Sequence, residues 1–61
     1  MMFDLLTIGR AKRLGHTKVL FQGNWWTFAG LDVERCQQIA THPTLGTRRF
    51  DLTVPVLAIR K

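Results

Sequence analysis

Val19-Leu20-Phe21, then Gln22-Gly23-Asn24, then Trp25-Trp26-Thr27-Phe28: two β-favouring runs flank a glycine. Branched and aromatic side chains suit a pleated, half-buried surface. A glycine followed by asparagine between two such runs is a hairpin signal. With Gly23-Asn24 as a type II′ turn, a hairpin spans residues 17–30. Phe21 then faces Trp26, and Val19 faces Phe28. Directly opposed residues share a face, so Val19, Phe21, Trp26 and Phe28 form a core face. Lys18, Leu20, Gln22, Trp25 and Thr27 form the other. Trp25 and Leu20 are left in need of cover and are the candidate protein-contact residues, since tryptophan is enriched at interface hot spots.

Downstream, the spacing predicts a helix over residues 32–42. Asp32 can cap it by accepting a hydrogen bond from the backbone N–H of residue 34 or 35. Val33, Cys36, Ile39 and Ala40 make one apolar stripe, and Pro43 stops the helix. Residues 49–60 predict a long strand. Phe50, Leu52, Val54, Val56 and Ala58 alternate onto one face, and Pro55 places the strand at an edge or a bulge. Upstream, Asp4 to Ile8 suits a strand or a short helix. Gly9, Gly15 and the short link to the hairpin favour a strand over residues 3–9. The predicted fold is α+β: a small antiparallel sheet of three to four strands with one helix packed on it.

The chain has 61 residues, nine Lys+Arg against four Asp+Glu, and one cysteine. That length allows one domain, residues 1–61. A lone Cys36 excludes an intrachain disulfide framework and a zinc site built on several cysteines. A chain this small gains little net stability from its own core, so a homo-oligomer, such as a homodimer, is expected. The longest uncharged run, Phe21 to Leu31, is too short and polar to cross a bilayer. Met1-Met2-Phe3-Asp4 lacks the basic start and long apolar core of a secretory signal. A complete cytoplasmic product with no membrane contact is expected.

No catalytic constellation is visible, and the expectation is a non-enzyme without cofactor or metal. Cys36 falls on the apolar stripe of the predicted helix, where it reads as a small buried hydrophobe. His42 sits at that helix's end, where a cation meets the terminal carbonyls. His16 and His42 are too far apart in sequence for a helical ligand pair, and no Gly-Lys-Ser/Thr follows a glycine loop. The basic residues say more. Arg10, Lys12, Arg13 and Lys18 fall within nine residues that contain no acid, and Arg48-Arg49 form a second group. Phosphate binding needs several positive charges on one surface, so these six are the candidate nucleic-acid-binding residues, for DNA or RNA. The expected function is that of an accessory or regulatory protein of a virus or mobile element. The alternatives are an inhibitor that binds an acidic host protein through the face around Trp25, and a homo-oligomeric structural component.

Overall fold

The computed structural model describes residues 2–60. Its elements are β1 (Phe3–Thr7), α1 (Ile8–Arg13), β2 (Lys18–Phe21), β3 (Asn24–Asp32), β4 (Gln37–His42), β5 (Gly46–Asp51) and β6 (Pro55–Ile59). All strands join one antiparallel sheet in the order β1-β6-β2-β3-β4-β5. Strands β2 to β5 form a meander, and β6 returns beside β2. None of the described helices is long and apolar enough to cross a membrane.

The central hairpin forms, with its turn one residue earlier than expected. Gln22 and Gly23 have φ of 50° and 79°, the two positive values of a type I′ turn. Val19 now opposes Trp26, and Leu20 opposes Trp25. Moving the turn by one residue shifts each partner by two, so every side chain keeps its face. Trp26 points into the core and its neighbour points out. The pairing sets the bulky indole against the smaller Val19 and leaves room for Phe50. That ring packs edge-on to both Phe21 and Trp26, with centroids at 5.2 and 5.4 Å.

The α+β expectation is corrected to a mostly β fold of six strands with one short helix among the described residues. The predicted helix 32–42 is absent. Its first residue, Asp32, ends β3, its last six form β4, and residues 33–36 are the loop between them. Asp32 Oδ1 does accept the Arg35 N–H at 3.2 Å, but in a turn rather than a helix. The same hydrogen bond serves both structures. Cys36, expected in the core, is exposed and takes φ of 53° where the chain re-enters the sheet. Val33 from the same expected stripe is also exposed. The alternation in β4 instead buries Gln38 and Ala40.

The predicted strand 49–60 is two strands. A turn closed by Val54 N–H to the Asp51 carbonyl (3.1 Å) separates them. Pro55 opens β6, a position where a missing donor is tolerated. Residues 3–7 are a strand as expected, but the chain then enters α1. Thr7 caps it, with Oγ1 accepting the Arg10 N–H at 3.2 Å.

The sheet is strongly curled. Phe21 on β2 touches Phe50 on β5 although two strands lie between them, a span of about 14 Å in a flat sheet. The buried core of Ile8, Ala11, Val19, Trp26, Ala40, Phe50, Val56 and Ala58 fills the concave side. Helix α1 closes that side through Ile8 and Ala11. An extra residue, Ala29, bulges β3 between Phe28 and Gly30. Fully buried Gln38 donates from Nε2 to the Gly30 carbonyl at 2.7 Å, satisfying the backbone at the bulge.

Candidate nucleic-acid interface

Helix α1 carries three of the six predicted cations. Ile8 and Ala11 point into the core and define its buried side. At about 100° per residue, Arg10 and Arg13 fall on the opposite side and Lys12 on the flank. All three are exposed. The flank faces the concave side of the sheet, where the Lys12 Nζ stands 5.9 Å from the centre of the Phe28 ring.

Arg48 reaches the same concave side from β5. Register places Phe28 opposite Ala40, and Ala40 opposite Arg48. Phe28 and Arg48 therefore lie in one row, about 10 Å apart across two strand spacings. The Arg48 guanidinium sits 5.1 Å from the Phe50 ring centre and 5.4 Å from that of Phe21. Cation–π contact with these rings leaves its N–H donors without a carboxylate partner among the described residues. Folding thus brings Lys12 and Arg48 over rings of the concave side, while Arg10 and Arg13 stand on the exposed side of α1.

Arg49 and Lys18 are elsewhere. Arg49 alternates to the outer face and forms an ion pair with Asp32. Lys18 also lies on the outer face, its Nζ 5.5 Å from the Trp25 ring centre. Between the 14–17 connection and the end of β6, Lys18 lines an open depression of about 360 Å³ with His16 and Arg60. The depression lies just beyond the C-terminal end of α1. Trp25 is half-buried and partly covered by Phe3, with ring centroids 6.2 Å apart. Leu20 is half-buried beside it on that face.

The acids are held away from this concave row. Asp32, Gln37 and Asp51 share another row of β3, β4 and β5. Gln37 Nε2 donates to Asp51 at 2.9 Å, and Glu34 lies in the adjoining loop. Asp4 is paired with Arg60 at 2.7 Å, which raises the Arg60 pKa through that hydrogen bond. Among the described residues, no ion pair engages Arg10, Lys12, Arg13, Lys18 or Arg48.

The Arg35 backbone N–H, and then the Arg49 guanidinium, lower the pKa of Asp32 below its ordinary value of 3.8. A depressed carboxyl pKa adds stability above the ordinary value, and that stability is lost as pH falls through the folded-state value. Asp32→Asn keeps an oxygen acceptor for Arg35 but loses the charge. Thermal melts should therefore show wild type above Asp32→Asn at neutral pH. The gap should close as pH is lowered below 3.8.

His42 ends strand β4 rather than a helix and holds the turn that follows. Its Nδ1 accepts the backbone N–H of Leu45 at 3.0 Å and of Thr44 at 3.1 Å. Two donors at one nitrogen require that nitrogen to be unprotonated. The ring also leans on Trp26, with centroids 5.3 Å apart. His16 lies in the α1–β2 connection, and no group of three potential metal ligands occurs among the described residues.

The aromatic platforms under Lys12 and Arg48 are not predictable from spacing. The only sequence signal for them is that Phe28 and Phe50 each sit on the predicted core faces. No family model, curated protein or solved structure matches this chain.

Proposed function

We propose that this chain is a small, non-enzymatic protein that binds the phosphate backbone of DNA or RNA. One observation carries this reading: among the described residues Arg10, Lys12, Arg13 and Arg48 have no acidic partner, and Lys12 and Arg48 both stand over aromatic rings of the concave side. In a chain of net charge +5, the acids are spent on Arg49 and Arg60 or lie around the β3–β4 loop. Phosphates would meet α1 and the Arg48 edge, with Lys18 and His16 extending the contact around the end of α1. Such contacts give affinity with little base preference. A lone exposed thiol at Cys36 suits a reducing compartment, so the proposed setting is the cytoplasm.

The test is anisotropy of a labelled oligonucleotide, titrated across a salt series. Four phosphate contacts predict a log–log slope of about −3 to −4, nearer −4 on duplex than on single strands. Absence of binding at ~50 mM salt, where even non-specific contacts hold, would defeat the reading.

A further inference from the structure

Strand β1 is an end strand of the sheet, paired on one side by β6. Of the exposed large apolar residues, Met2, Phe3 and Leu5 cluster here, with Leu5 74% exposed. The backbone of β1 is committed on one side only. Arg60 N–H donates to the Met2 carbonyl at 2.9 Å and Ile8 N–H to the Val54 carbonyl at 3.0 Å. With Phe3 opposite Ile59, those bonds set the alternation of an antiparallel ladder. Met2, Asp4 and Leu6 face β6, and the N–H and C=O groups of Phe3 and Leu5 face outward. An exposed apolar edge strand of this kind is a template for another strand.

We infer that two copies of this chain associate through β1, antiparallel about a two-fold axis at Leu5. In that register Leu5 opposes Leu5 of the second copy, and Phe3 opposes Thr7. The neighbouring register, centred on Asp4, would set two carboxylates against each other. The occupant is a second copy because this edge is its own complement under the two-fold operation. Charge permits it. Among the described residues, the charged ones at this edge, Asp4 and Arg60, pair with each other, and the cations of α1 project from the other face of the sheet. The apolar side chains also continue inward along the outer face through Leu57 and Ile59, where Phe3 already meets Trp25. The contact is shorter than a standard interface of ~1,600 Å², so the dimer fraction is expected to depend on concentration.

Sedimentation equilibrium from ~5 to ~500 μM tests this, since the dimer fraction must rise with concentration. The expected mass climbs from 7.0 kDa toward twice that value. Leu5→Lys opposes two ammonium groups across the axis and should weaken association at least ~100-fold, with an unchanged circular dichroism spectrum. A wild type that stays at 7.0 kDa throughout, or a dimer that survives Leu5→Lys, overturns the proposal. Should Leu5→Lys unfold, Leu5→Cys in a Cys36→Ser background decides. Opposed Cα atoms about 5.5 Å apart suit a disulfide, so an oxidised covalent dimer supports the register and its absence refutes it.

Discussion

Trp26→Ala is expected to abolish the cooperative unfolding transition, leaving a chain that is largely unfolded at room temperature. Trp26 is only 3% exposed and packs against Phe50 and His42 in the concave core. Truncating a buried tryptophan costs about 3–5 kcal/mol. A single small core of this kind supplies about the same total. Trp26→Phe should be far milder. It keeps a ring against Phe50 and removes an indole N–H that is buried without a hydrogen-bond partner, a group that costs about 1–3 kcal/mol to leave unpaired. Trp25→Ala provides the contrast. That side chain lies on the outer face against Phe3 and Lys18, and its loss should cost about 1 kcal/mol. Urea unfolding followed by circular dichroism separates the three. A folded Trp26→Ala beside an unfolded Trp25→Ala would reverse the assignment of faces.

The second large effect is on binding. Replacing Arg10, Lys12 and Arg13 together with glutamine should weaken oligonucleotide binding roughly 100-fold at ~50 mM salt and flatten the salt slope by about 2 to 3. Glutamine keeps a good helix propensity, and none of the three side chains is part of the core. Circular dichroism should therefore be preserved. Arg49→Gln is the control. Its guanidinium is committed to Asp32, so removing it should leave the slope nearly unchanged. Equal effects of Arg49 and the α1 cations would mean that binding follows net charge rather than a defined surface.

Period-two patterns proved more legible than the helical one. Val19, Phe21, Trp26 and Phe28 face the core because alternation survives an error of one residue in the position of the turn. Residues 32–42 misled because an aspartate accepting a hydrogen bond from the N–H three residues on serves a helix start and a tight turn equally. The spacing of Val33, Cys36, Ile39 and Ala40 suggested a helical stripe, while Gln38 and Ala40 carried the inward alternation of a strand. Burial of Gln38 depends on the β3 bulge, which no local pattern announces. The break at residues 52–54 was masked because Leu52 and Val54 continue the apolar alternation of the strand before it.

The candidate surface was legible in part. The acid-free run from Arg10 to Lys18 is visible in the sequence, but its division between α1 and β2 is not. Arg48 and Arg49 look equivalent as neighbours. Only the register separates them, sending one to the concave side over Phe21 and Phe50 and the other to an acid. Sequence distance likewise conceals that Arg48 and Lys12 flank one row of the sheet.

The most direct measurement is a two-dimensional amide NMR titration of the protein with a short oligonucleotide. Binding through the concave cations predicts that shifts concentrate in residues 8–18 and 46–50, while the loop around Glu34 stays unmoved. Shifts centred instead on Leu20, Trp25 and Leu57, or no shifts at low salt, would contradict it.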